Sequence, residues 1–372
     1  MSTSDQLIKP QSERVLSIDF FRGVTMFLLI GESTRIYGHL RGISDSGILH
    51  SFFSQFFHHE WNGLTFWDLI QPFFMTIVGV AIPFAVAARQ KKGESDRTIL
   101  QHAIKRSFIL LLLGWGVYCV GPGKIVWRFQ DVLAQLSVTY LVAFLLLKKS
   151  VKFQISFTLI ILLLIDLAYR FFPVEGFNQP WVPYKNLGAW FNQLVEGTDK
   201  TSIWATLNFV STTAHTVWGA LVGRLFMSKK SSFDKIKILC VAGVICLIIG
   251  FSLDGLHITP IIKKIATSSF VFASGGWTLL ALAFSYWLID VKKIFVDGSL
   301  FFRIVGMNCI AIYLFFEVGG ASLLYKVFAP FPTSLLAWAG ASTVGITTSL
   351  LVWAAQWGMC YWLFKNKIFI KI

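Results

Sequence analysis

Apolar runs of bilayer length recur along this chain, and no other feature narrows its fold as much. The hydrocarbon core of a membrane, about 30 Å thick, is crossed by roughly 20 helical residues. Ten stretches fit that length, at 15–34, 64–88, 104–121, 131–147, 153–172, 203–226, 236–253, 267–289, 302–325 and 334–363. Composition agrees: 55% of the 372 residues are hydrophobic and 14% charged, where a soluble domain carries roughly 25% charged, and the mean hydropathy is +0.65. Disorder, a small disulfide scaffold and a string of soluble domains are excluded. The expected architecture is an all-α integral membrane protein with about ten transmembrane helices in one bundle, a single domain over 1–372. Gly79, Pro83, Gly114, Gly116, Gly275, Gly276 and Gly306 fall inside spans, where neighbouring helices can satisfy a disturbed backbone.

The formal charge of +14 would suggest a nucleic-acid partner in a soluble protein, but Lys and Arg collect in the cytoplasmic loops of membrane proteins. With a cytoplasmic N-terminus, the inner segments 1–14, 89–106, 148–152, 224–237, 290–303 and 365–371 hold 22 basic and 7 acidic residues, and the outer segments 10 and 9. That split favours cytoplasmic N- and C-termini and leaves no charge for nucleic acid to explain. The first fourteen residues are largely polar, and Asp19 and Arg22 interrupt the apolar run behind them. This is a poor match to a cleaved signal peptide, so the first helix is expected to stay. Cys119, Cys240, Cys246, Cys309 and Cys360 lie in apolar runs without metal or redox spacing and read as small hydrophobes. Two outer loops are long, 35–63 and 173–202.

Ionisable groups inside a span are costly unless paired or facing water, which makes each a functional candidate. Asp19 and Arg22 share a helical face and can pair with each other; Asp166, beside Tyr169 and Arg170, reads as structural. The densest polar constellation is 55–75, QFFHHEWNGLTFWDLIQPFFM. It sets His58, His59, Glu60, Trp61 and Asn62 outside the second span, with Thr65, Asp68 and Gln71 at i, i+3, i+6 on a face entering the membrane. A histidine there can act as a general base near neutral pH, and an interfacial anchor is the plainer alternative. Adjacent histidines lack the i, i+4 spacing of a helical metal site, so no metal is expected. His215 among Ser211, Thr212, Thr213 and Thr216 reads as a helix-to-helix hydrogen bond. Asn308 could bridge helices or touch a ligand. Arg128, Gln130, Asp131 and Gln135 open the fourth span. In the basic inner loop, Lys105 and Arg106 are the candidates for phosphate, on the expectation that they stand at a helix N-terminus.

Four runs carry a resemblance: RVLSIDFFRG (Arg14 to Gly23), HHEWNGLTFWDLIQPFF (His58 to Phe74), RFQDVLAQLSVTY (Arg128 to Tyr140) and GMNCIAIY (Gly306 to Tyr313). In that order they resemble the heparan-α-glucosaminide N-acetyltransferase family with its bacterial relatives, over nearly the whole chain. The resemblance implies a multi-span acetyltransferase that takes acetyl from cytosolic acetyl-CoA and delivers it to the amine of a glucosamine-type sugar on the outer side. It also implies residence in a bacterial inner membrane, and a homodimer is open. The family's active-site histidine stands three residues before the Trp of WNGLT, which selects His58 over His59.

On that resemblance His58 takes a proton from the acceptor amine or accepts the acetyl group itself. Asp68 or Glu60 orients it, and Asn308 donates to the thioester oxygen. Lys105, Arg106, Arg128 and Gln135 contact the donor. The sequence departs from the family at Glu32 and Ser33, where an Asn is common, and at Phe316 before Glu317 and Val318, where the lysosomal enzyme has a His. The rival readings are a sugar or amino-sugar permease, whose polar span residues line a path, and a scaffold without chemistry. The polar residues gather at one outer mouth and no inverted repeat is visible, which favours the enzyme.

Overall fold

The computed structural model describes residues 15–197 and 202–370, all helix and connecting loop with no strand among them; the inner segment 1–14 lies outside the described residues. In chain order the helices are α1 (Leu16–Ser33), α2 (Ile36–Arg41), α3 (Gly47–Ser54), α4 (Ile70–Lys91), α5 (Asp96–Val120), α6 (Val132–Leu146), α7 (Val151–Arg170), α8 (Leu187–Glu196), α9 (Asn208–Met227), α10 (Ser232–Gly255), α11 (Ser268–Tyr286), α12 (Val296–Met307), α13 (Cys309–Glu317), α14 (Gly320–Phe328), α15 (Pro330–Leu336) and α16 (Ala341–Lys365). Short polar side chains start several of them. Ser95, Ser150, Ser231, Asp131 and Thr267 each accept a hydrogen bond from a backbone N–H of the first turn, satisfying donors that a helix start otherwise leaves unpaired.

Among the described residues, five segments are long and apolar enough to cross a membrane, Phe66–Lys91, α5, α7, α10 and Ser268–Val291, and the bent pair α12–α13 makes a sixth. Helices also occupy the other expected ranges, but α1 carries Asp19, Arg22 and Glu32, and α9 carries His215 among serines and threonines. Their apolarity is diluted because they face other helices rather than lipid. The expected span 302–325 is not one helix. The chain bends by 59° between α12 and α13 and breaks again before α14.

The first of these breaks comes at Asn308, whose amide donates to the Ile368 carbonyl (3.0 Å) and accepts from the Ile370 N–H (3.0 Å). It therefore holds the segment after α16 against the bend. A buried side chain satisfied by backbone on both sides acts as a structural bridge, the first of the two roles expected of Asn308.

Two segments form the centre of the bundle: 61% of the apolar window is buried in Phe66–Lys91 and in Ser268–Val291, against 17% in α5, α7 and α10. The outer faces of the peripheral helices are apolar, with Leu159, Ile160, Leu163 and Leu164 of α7 exposed, as lipid contact requires. The crossing of α4 and α9 is close because it is made by glycine. A Cβ on Gly79 would stand 2.0 Å from the Thr216 carbonyl oxygen, and one on Gly219 2.1 Å from that of Thr76. Small residues that let backbones approach are the usual packing device between membrane helices.

The connections gather at two ends. At one, the Leu16 and Ser17 N–H groups donate to Asp290 (2.9 and 3.0 Å), Lys148 pairs with Asp96 (2.5 Å) and Arg224 reaches the Lys149 carbonyl (3.0 Å). At the other, Trp61 donates to the Trp181 carbonyl (2.7 Å), Gly63 to that of Ile261 (2.8 Å), and Arg128 pairs with Glu196 (3.1 Å).

Candidate active site

The site grows from a helix start. Thr65 caps the 3-10 turn Phe66–Leu69 that leads into α4, and Asp68 closes the reciprocal half of the box. One carboxylate oxygen of Asp68 accepts from the Thr65 N–H (3.0 Å), the Thr65 hydroxyl (3.0 Å) and the His59 N–H (3.3 Å). The other faces His58 Nδ1 at 2.9 Å. The expected shared face of Thr65, Asp68 and Gln71 is thus replaced at its start by a cap: Thr65 is extended and Asp68 turns back to the loop, while Gln71 faces a cavity.

That cavity is ≈ 240 Å³ and is lined by His58, Lys263, Trp204, Glu32, Gln71 and Gln135, with Asp131, Tyr313 and Glu317 among its other walls. Polar groups order the wall: Trp67 donates to Glu32 (2.9 Å), Gln71 to Gln135 (2.8 Å), Gln135 to the Gln130 carbonyl (2.8 Å) and Tyr313 to Asp131 (2.7 Å). His58 is about a third exposed, at 35%, with its ring set edge-on to Trp204 at 5.2 Å. Lys263 Nζ lies 3.1 Å from His58 Nδ1 and 3.7 Å from Asp68. Partial burial, then the Lys263 charge, hold the imidazole below its ordinary pKa despite the opposing pull of Asp68. A neutral ring with Nδ1–H donated to Asp68 leaves Nε2 as a base or nucleophile.

A second, smaller cavity of ≈ 80 Å³ shares Phe74, Val132 and Tyr313 with the first and is lined by Arg22 and Arg106. Arg22 pairs with Asp19 at 2.7 Å, and the Arg106 guanidinium lies 4.7 Å over the Tyr140 ring. Among the described residues, the Nε of each arginine is buried without a hydrogen-bond partner.

The other expected site residues are dispersed. Because Ser95 caps α5, Lys105 and Arg106 stand well inside the helix rather than at its N-terminus; Lys105 is exposed and only Arg106 reaches the smaller cavity. Arg128 is engaged by Glu196 at the same end as His58. Glu60 is exposed and meets the site through its carbonyl, which accepts from Lys264. His215 is buried between α9 and α11, against the Val271 carbonyl and Ser274, away from both cavities. Among the described residues, no three His, Cys, Asp or Glu side chains could hold a metal ion. Sequence reasoning missed Lys263 and Trp204 as partners of His58, and Glu32 as a wall of the same cavity. One signal was present for Lys263: the Lys263–Lys264 pair lies in a loop assigned to the outer side, against the drift of basic residues inward.

These features define an all-helical membrane protein with a histidine–aspartate–lysine cluster in a cavity at one end of its bundle. The chain matches no protein-family profile. It is similar to heparan-alpha-glucosaminide N-acetyltransferase of Mus musculus, 24% identical over 431 aligned positions covering 98% of this chain and 61% of that protein. The protein of the same name from Homo sapiens is 24% identical over 423 positions, covering 96% and 60%. This is a distant relationship along nearly the full chain, which spans about three fifths of the length of these curated relatives.

Proposed function

We propose that the chain is a transmembrane acetyltransferase that moves an acetyl group from cytosolic acetyl-CoA to the amine of a glucosamine-type sugar on the outer side of the membrane. The observation that carries this reading is the His58–Asp68 couple on the wall of a cavity that shares Phe74, Val132 and Tyr313 with a smaller one bordered by Arg22 and Arg106. The thioester, in this reading, reaches His58 past the wall that the two cavities share, with the arginines of the smaller one for phosphate. In this reading Asp68 fixes the imidazole, as a carboxylate does in Ser-His-Asp sites. His58 Nε2 then takes the amine proton while the nitrogen attacks the thioester carbon, or it carries the acetyl group first.

The proposed setting is a ten-span bundle in a bacterial inner membrane, with both termini cytoplasmic. The charge split supports that orientation, and the loop contacts support the alternation, since each joins segments assigned to one side. The exposed apolar faces of α5, α7 and α10 support contact with a lipid bilayer. A homodimer rests on the resemblance alone. The test uses purified protein, labelled acetyl-CoA and a panel of amino sugars and sugar alcohols. Label in an amino sugar is the expected result, and a folded protein that transfers to none of them overturns the reading.

A further inference from the structure

Acyl transfer as described uses His58 and Asp68 and leaves Lys263 without a task. Its side chain is only 6% exposed, and burying an ammonium is expensive unless it is paired. The loop between α10 and α11 is shaped to hold it there. Ile261 accepts from Gly63 (2.8 Å), the Ile262 N–H donates to the Thr267 hydroxyl (3.0 Å), and Ala266 closes the turn at a φ of 45°, a left-handed conformation uncommon for a residue with a side chain. The ammonium is brought to the same imidazole nitrogen that Asp68 engages.

We propose that Lys263 is a positioning residue that keeps His58 uncharged and so extends the working range of the site toward acid. The proposal rests on the reading of His58 as the group that takes the acceptor's proton. Four charged side chains act here: Asp68 from the turn before α4, Lys263 and Lys264 from the α10–α11 loop, and Glu32 of α1, which acts on Lys263 across the cavity. His59 contributes its backbone N–H to Asp68. Asp68 alone would favour an imidazolium, and Lys263 opposes it. Burial lowers Lys263 to about 8, so it remains largely cationic through the range in which a histidine titrates.

The consequence is a base that stays available and gives its proton up quickly. As the amine nitrogen bonds to the carbonyl carbon and the carbon–sulfur bond breaks, the amine proton passes to Nε2 and from there to the departing sulfur, which leaves as the thiol. An imidazolium beside Lys263 is a second cation in one small space, which favours the second proton step.

The experiment follows the histidines of the full-length protein in nanodiscs by NMR, with His58→Gln used to assign the His58 signal, and measures kcat against pH at saturating acetyl-CoA and glucosamine, which reports groups of the bound complex rather than the free amine. In the wild type, the His58 midpoint is expected below the ordinary value of about 6.5. In Lys263→Met, both the midpoint and the acid limb of activity should rise, because the neighbouring charge is gone while burial is kept, and Lys263→Arg should restore both. A wild-type midpoint at or above the ordinary value overturns the proposal without need of any variant. So does a folded Lys263→Met with an unmoved midpoint. If His58→Gln retains turnover, the reading of His58 as the base fails; if His58→Gln is inactive and the Lys263 variants leave the midpoint unchanged, only the role of Lys263 fails.

Discussion

At the scale of single residues, two adjacent histidines have different surroundings. His58 faces the cavity and shares its Nδ1 with Asp68, whereas His59 offers Asp68 its backbone and packs its ring over Gly63, where a Cβ would come within 2.6 Å of Nε2. His58→Ala should therefore lower kcat by about 10²–10⁴-fold, the range for loss of a general acid–base group, with little change in thermal stability. His59→Ala should leave kcat within several-fold and act on stability instead. Single-turnover rates and thermal melts of both variants check this, and a lethal His59→Ala beside an active His58→Ala would contradict it. The pH dependence has a definite sign. A base works when unprotonated, and the lowered pKa of His58 keeps it so further into acid. At saturating acceptor, kcat should rise with pH through a midpoint below 6.5, the ordinary histidine value, rather than at it.

At the scale of elements, helix starts and close crossings decide what each residue can reach. Arg106 borders the smaller cavity and Lys105 does not, although they are neighbours in sequence and both basic. Arg106→Ala should weaken acetyl-CoA binding by about 1.5–3 kcal/mol, the worth of a hydrogen bond to a charged group, and reduce its salt sensitivity, while Lys105→Ala should do neither. Calorimetric titration at two salt concentrations separates them, and equal losses would place the phosphates elsewhere. The α4–α9 crossing gives a structural counterpart. Gly79→Ala forces a Cβ against the Thr216 backbone, which cannot swing aside as a side chain would. Overpacking of this kind costs about 1–3 kcal/mol, and the expected result is a lower melting temperature in detergent; an unchanged one would mean that the helices can separate freely.

At the scale of the whole molecule, the proposed orientation predicts labelling. Cysteines introduced at 89–97 should react with impermeant thiol reagents from the cytoplasmic side only, and those at 176–196 from outside only; reaction of both from one side refutes the ten-span arrangement. Much of this scale was legible in sequence, because hydropathy and charge are summed over long stretches and the bilayer imposes a fixed length on them. Apolar runs gave the all-helical class and most helix positions, and the resemblance carried by the HHEWNGLT run pointed to His58 as the residue to test. The sequence did not disclose the break at Asn308, whose side chain is held by a segment about sixty residues away, nor that Lys105 lies deep within a helix begun at Ser95. Above all it did not disclose Lys263, which is 205 residues from His58. A periodic pattern reports which face of a helix is apolar, whereas two groups far apart in the chain meet only when helices have packed. Membership in the bundle was set by composition; the company that each polar side chain keeps was set by tertiary packing.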